Sequence, residues 1–197
     1  ANVAYNRHHT PNAGQNGYTN YDPMYSLLIW SGADWDIRDY RDYWITPGEV
    51  TNNPYTRVLD DGTIQQAGSL DNPYFIQNER IREETRDVMN GNINMSYDIL
   101  PWLKLSVRSG LDFYVDKTEM RIAKGSFTNS GNTYGSVVGA KLGYFRTQRD
   151  TGFSTNNDFL LTGDYTFGDF RVDGLFGGGI FYRRSESLMG YTAGGLN

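Results

Sequence analysis

From Met89 to Ile99 the chain alternates between two kinds of residue. Met89, Gly91, Ile93, Met95, Tyr97 and Ile99 take the odd positions, and Asn90, Asn92, Asn94, Ser96 and Asp98 take the even ones. A period of two sends successive side chains to opposite faces of an extended chain, so this segment reads as a strand with one apolar and one polar face. After Leu100-Pro101-Trp102 the alternation resumes, with Leu103, Leu105, Val107, Leu111, Phe113 and Val115 against Lys104, Ser106, Arg108, Asp112 and Asp116. Two long strands around a tight turn predict a hairpin over 86–122.

The design returns further along. Phe159, Leu161, Tyr165 and Phe167 alternate with Asp158, Thr162, Asp164 and Thr166, interrupted only by Leu160. Gly168-Asp169 supplies a turn. The returning strand sets Phe170, Val172, Phe176, Ile180 and Tyr182 against Arg171, Asp173 and Arg183, which predicts a second hairpin over 153–185. Residues 1–6 read as the end of another strand. The polar stretches 7–85 and 123–152 read as long loops, and 186–197 as the start of a further one.

A soluble β-sandwich shows the same alternation, because each of its sheets packs one face on a core and wets the other. Three features favour a membrane instead. The strands run to about eleven to fourteen residues where five or six is usual. Short turns alternate with long excursions, and Trp102, Phe167 and Phe170 crowd the turns like an interfacial girdle. The expected fold is therefore all-β, a segment of an antiparallel transmembrane β-barrel with long extracellular loops. In such barrels the short turns are periplasmic, so 99–102 and 168–169 are expected inside and 7–85 and 123–152 outside the cell. Leu105, Val107, Leu111, Phe113, Val172 and Ile180 are then the lipid-facing positions. Four strands cannot close a barrel whose smallest single-chain form has about eight, so the rest of the barrel is expected elsewhere.

Composition agrees: 15 Tyr, 10 Phe, 4 Trp and 23 Gly among 197 residues favour strands and turns. No apolar run approaches the roughly 18 to 20 residues of a membrane helix, and a mean hydropathy of −0.60 is compatible with a barrel. The residues 1–14 have no apolar signal core. A net charge of −5 lacks the basic stripe that nucleic acid requires. Without cysteine there is neither a disulfide framework nor a thiolate metal site.

Several short motifs in register resemble the SusC/RagA family of TonB-dependent outer-membrane transporters from Bacteroidetes. They are Asp71-Asn72-Pro73-Tyr74-Phe75 with Asn78-Glu79, Gly91-Asn92-Ile93 leading to Tyr97, Trp102-Leu103-Lys104-Leu105, and Gly110-Leu111-Asp112. Downstream come Asn157-Asp158-Phe159-Leu160-Leu161, Phe167-Gly168-Asp169-Phe170, Gly177-Gly178-Gly179 and Thr192-Ala193-Gly194-Gly195-Leu196. The resemblance covers roughly residues 20–197. It implies a 22-stranded barrel, plugged in its lumen as such transporters are. It also implies import of a bulky nutrient, an oligosaccharide or peptide, with a SusD-like surface lipoprotein as lid. The TonB–ExbB–ExbD complex would act through a plug and TonB box, neither of which matches any segment here. A SusC-like structural subunit of a larger outer-membrane assembly would look the same in the barrel. A soluble carbohydrate-binding sandwich is the remaining alternative.

Candidate chemistry lies in the first long loop. Tyr25, Trp30, Trp35, Tyr40, Tyr43 and Trp44 offer flat apolar faces with polar edges, suited to a protein partner or to sugar stacking. The competing expectation is that they form the loop's own core. Asp34, Asp36, Asp39 and Asp42 could supply oxygens to calcium. The calcium-loop spacing is absent, however, and Arg38 and Arg41 can neutralise the acids. The adjacent His8-His9 has no companion ligands. No nucleophile elbow or triad can be assembled, so no enzymatic activity and no cofactor are expected. Arg108, Asp112, Asp164, Arg171, Asp173 and Arg183 are expected to line the lumen, paired with one another or with a plug.

Overall fold

The computed structural model describes residues 1–14, 22–30, 32, 34–52, 56–66, 71–126 and 142–192. Five strands form one sheet in the order β1-β6-β7-β8-β9: β1 Asn2–Thr10, β6 Arg80–Leu100, β7 Leu103–Ile122, β8 Tyr144–Phe167 and β9 Phe170–Tyr191. Four of them are consecutive antiparallel neighbours. Between β1 and β6 lie helix α1 (Pro23–Trp30), a 3-10 turn (Ile37–Tyr40), the two-stranded ladders β2 (Trp44–Thr46) with β3 (Val50–Thr51) and β4 (Thr56–Val58) with β5 (Ile64–Gln66), and helix α2 (Pro73–Glu79).

Both predicted hairpins are present, and both turns fall where the sequence places them. Gly168, at φ +58°, takes a left-handed conformation that a two-residue hairpin turn demands and that a side chain disfavours. The strands are longer than the alternation indicates. β6 begins at Arg80 instead of 86, β8 at Tyr144 inside the segment read as loop 123–152, β9 continues to Tyr191 past 185, and β1 reaches Thr10 past 6. In these extensions both faces carry polar residues, so no apolar period marks them. Backbone pairing holds them instead, as in Ala123 N–H to Glu79 C=O at 3.0 Å and Thr192 N–H to Phe145 C=O at 2.9 Å.

The chain divides into two compact units. The first comprises Ala1–His8, Thr85–Asp116 and Arg149–Leu188, and the second His9–Glu84, Lys117–Gln148 and Met189–Asn197. The first is sheet throughout. Its register is visible in side-chain pairs: Asn90 Nδ2 donates to Asp112 Oδ1 at 2.5 Å, Ser154 Oγ to Asp112 Oδ2 at 3.5 Å, and Arg86 meets Asp116 at 3.5 Å. Gly152 lies beneath the Tyr114 ring, where any Cβ would overlap ring carbons, and the Arg86 guanidinium sits 5.5 Å from that ring's centroid. Gly152→Val is expected to destabilise the β7–β8 pair by about 1–3 kcal/mol through overpacking. Adding Tyr114→Ala should restore part of the loss, as read by the folded fraction on an unboiled gel.

The second unit has its own small core. Helix α1 starts at Asp22-Pro23, with Asp22 Oδ1 accepting from Met24 N at 2.8 Å. Helix α2 starts the same way at Asn72-Pro73. An oxygen-bearing cap followed by proline at the first helical position fixes a helix start twice over. The two helices are in contact. Phe75 and Ile122 are fully buried, and Met120, Ile122 and Tyr144 cluster together.

Candidate functional site: an apolar sheet face and an aromatic loop cluster

Alternate positions of each long strand share a face, and the cross-strand pairs show which parities coincide. In β6, β7 and β8 like parities meet, as Asn90 with Asp112 and Ser154 with Asp112. Across the two-residue turn between β8 and β9 parity switches, so Phe159 packs on Phe176 (5.9 Å between centroids) and Phe153 on Tyr182 (6.3 Å). The consequence is that Leu105, Val107, Leu111, Phe113, Val172 and Ile180 all emerge on one face. Met95, Tyr97, Ile99, Phe159, Tyr165 and Phe176 join them there. On β6 and β9 this face is exposed, with Met95 at 62%, Phe176 at 67%, Ile180 at 72% and Phe170 at 77%, while Leu105, Val107, Leu111 and Phe113 of β7 are half-buried.

Three polar residues interrupt it. Ser109, Thr155 and Asn157 break the apolar parity of β7 and β8, and the structure shows why they are tolerated: Ser109 Oγ donates to Asn157 Oδ1 at 2.6 Å, and Asn157 Nδ2 donates to Thr155 Oγ1 at 3.0 Å. Periodicity alone gives no signal for such a pair. Further along β1, β6 and β9 the face turns charged, with Tyr5 Oη donating to Asp87 at 2.5 Å, Arg7 at 3.6 Å from Asp87, and Arg184 paired with Glu186.

The opposite face carries the residues read as lumen-lining. Arg171 forms a bidentate ion pair with Asp164 across the hairpin, and Lys104 lies 4.0 Å from Asp98 near the other turn. Asp112 holds Asn90 and Ser154. Leu160, Leu175 and Phe181 share this face with them by parity, so β9 in particular is apolar on both sides. Within the glycine run, Gly177 and Gly179 are tight: a Cβ at Gly177 would come 2.7 Å from Phe159 O, and one at Gly179 would overlap the Asp158 carboxylate. Both glycines thus let β9 lie close against β8.

The aromatic loop residues separate into two groups. Tyr43 and Trp44 pack edge-on against buried Phe75, at 6.3 and 5.3 Å between centroids, and a Cβ on Gly125 would come within 2.9 Å of Trp44 Cζ3. Tyr43 Oη donates to Glu79 at 2.8 Å, and this hydrogen bond holds the phenol's pKa above its ordinary value. Tyr25 is buried in α1. Tyr43 and Trp44 are half-buried, and what sets them apart is their contact with the buried Phe75 ring. Trp35 and Tyr40 stack at 5.0 Å and remain half-buried, while the side chain of Trp30 lies outside the described residues. Burial first, and then the charges of Asp39 and Asp34, push the Tyr40 phenol upward. Met24, Leu28 and Ile29 of α1 are exposed apolar residues that the aromatic reading passed over.

Asn72 is the residue whose role the sequence did not disclose. Its amide uses both ends: Oδ1 accepts from Tyr74 N (2.7 Å) and Phe75 N (3.4 Å), while Nδ2 donates to Tyr40 O (2.9 Å) and Asn52 O (2.5 Å). The neighbouring Asp71 accepts from Ser126 Oγ at 2.6 Å. One buried dipeptide thus ties four segments together. A helix-cap signal was legible in Asn72-Pro73, but the partners of the amide nitrogen were not.

Of the four acids considered for calcium, Asp36 caps the 3-10 turn and is gripped by Arg38, whose Nε lies 2.8 Å from Oδ1; this bond holds the carboxyl below its ordinary range. Among the described residues no group of three or more His, Asp or Glu is placed to hold a metal ion. No helix among them is long and apolar enough to cross a membrane. No protein-family model matches this chain, and no curated protein matches it either.

Proposed function

We propose that the five-stranded sheet is a sector of a closed transmembrane barrel in a bacterial outer membrane, and that the barrel is a SusC-like transporter importing an oligosaccharide or peptide. The observation that carries the membrane reading is the bare apolar face. Val3, Met95, Phe170, Phe176 and Ile180 stand 62–77% exposed on it, well beyond the scattered apolar residues normal on a soluble surface. In lipid that exposure is favourable, and the Ser109–Asn157 bond satisfies polar groups that hydrocarbon would otherwise leave unpaired. A sandwich would have buried this face against a second sheet.

The sheet edges support the same reading. β9 is an outer strand of 22 residues with neither proline nor the shortness that protects natural edges. Pairing with further strands of a closed barrel removes that liability. The transporter part of the proposal rests on the motif resemblance, with a SusD-like lipoprotein and TonB–ExbB–ExbD as partners. In this reading the second unit is extracellular. The half-buried pair Trp35–Tyr40 and the exposed Met24, Leu28 and Ile29 then serve as lipoprotein contacts, because aromatic and apolar side chains anchor protein interfaces.

The chain has no cysteine, so single introduced thiols report cleanly. Asp61, exposed in the β4–β5 turn, serves as the outer probe. With an impermeant thiol reagent on intact cells, Asp61→Cys should label and Asp169→Cys should not. Labelling at Asp169 alone would reverse the topology. Native protein recovered in the soluble fraction without detergent would sink the membrane reading itself.

A further inference from the structure

At the short-turn end of the apolar face lies a groove of about 430 Å³, lined by Trp102, Gly163, Tyr165, Phe167, Val172 and Gly174. Its walls are a ring train. Trp102 meets Tyr165 edge-on at 5.2 Å, and Tyr165 meets Phe167 edge-on at 4.4 Å. The main chain beneath is pinned by the Asp164 N–H to Trp102 C=O hydrogen bond at 2.9 Å. The floor is made by Gly163 and Gly174 on the adjacent strands β8 and β9.

Nothing in the fold requires glycine at those two places. A Cβ at Gly174 would meet no atom within 4 Å, and one at Gly163 would make only ordinary contacts, the nearest at 3.6 Å to Leu103 Cδ1. Neither residue has a positive φ. Glycine within a strand costs about 0.5–1 kcal/mol relative to alanine, so two unforced glycines weaken the sheet without relieving strain. What they do provide is depth. Side chains there would fill the groove, and the aromatic walls would lose the space between them.

We propose that this groove holds one acyl chain of a glycerophospholipid from the leaflet at the short-turn end. The occupant follows from the surroundings: the lining is hydrocarbon and ring edge, it is continuous with the apolar face, and the indole of Trp102 stands at the turn where an interfacial ring meets headgroups. A volume within the roughly 300–1,000 Å³ typical of small-molecule sites accommodates a chain segment. The inference rests on the lipid-facing reading of the sheet, and the test keeps the two apart.

The full-length polypeptide would be reconstituted into phosphatidylcholine vesicles whose acyl chains carry bromine, a collisional quencher of indole fluorescence. Three comparisons are made. The contribution of Trp102 is the difference between the parent and Trp102→Phe. Ile180→Trp places a reporter on the same face away from the groove. Gly174→Leu fills the floor at a position with room for the side chain. The expected result is that brominated lipid quenches both reporters, that Gly174→Leu removes most of the Trp102 quenching but none at position 180, and that the parent retains a phospholipid through detergent washing that Gly174→Leu loses. Unchanged retention and Trp102 quenching in Gly174→Leu, with position 180 quenched, overturn the groove alone. Absence of quenching at position 180 overturns the lipid-facing reading from which the groove derives.

Discussion

Asn72→Asp is expected to open the second unit while leaving side-chain volume unchanged. The substitution keeps the oxygen that caps α2 but removes both N–H groups, so a carboxylate oxygen faces the carbonyls of Tyr40 and Asn52 where donors stood at 2.9 and 2.5 Å. Asn72 is fully buried, which leaves water unable to repair the loss. Each stranded buried polar group costs about 1–3 kcal/mol, so the whole change amounts to about 3 kcal/mol or more. If opening is fast relative to cleavage, that free energy appears as roughly a hundredfold faster proteolysis within 34–80. Ser126→Ala, which removes one hydrogen bond from Asp71, should give a smaller acceleration. Parent-like protease resistance in Asn72→Asp would show that the four-segment tie contributes little.

Val107→Arg should deplete assembled barrel far more than Ser106→Arg. The two residues are neighbours on β7 and differ in which face they occupy. On the barrel reading Val107 lies five residues past the turn, at roughly 3.3 Å rise per residue and a tilt near 45°, which puts it close to the midplane of an apolar band about 25 Å tall. An arginine there costs about 2–4 kcal/mol, whereas on the polar face it can reach water and the carboxylates beside it. The measurement is the folded, heat-modifiable fraction in outer-membrane preparations of each variant. Equal depletion would mean that the two faces are not distinguished by lipid.

The contrast between these two sites also separates what is legible in sequence from what is not. The alternation in 89–99, 103–115, 158–167 and 170–183 determined both hairpins, their turns and the apolar parity of their four strands, because a period of two is a local property of an extended chain and needs no knowledge of neighbours. Gly168-Asp169 is local for the same reason, whereas the helix starts at Asp22-Pro23 and Asn72-Pro73 lie inside 7–85, a polar stretch that reads as loop in the sequence. The polar extensions 80–85 and 144–152 escaped because a strand polar on both faces has no amphipathic period, and only its cross-strand hydrogen bonds identify it.

Tertiary structure alone decided the rest. It showed that the parities of five strands coincide on a single face, since register depends on how strands meet and not on any one of them. It separated Tyr43 and Trp44, packed on Phe75, from Trp35 and Tyr40, which pack on each other, although in sequence all four are equivalent aromatics in one loop. It paired Ser109 with Asn157, and Tyr114 with Gly152, across distances in sequence that no spacing rule spans. A residue's face is written in its neighbours along the chain; its partner is written only in the folding of distant segments onto one another.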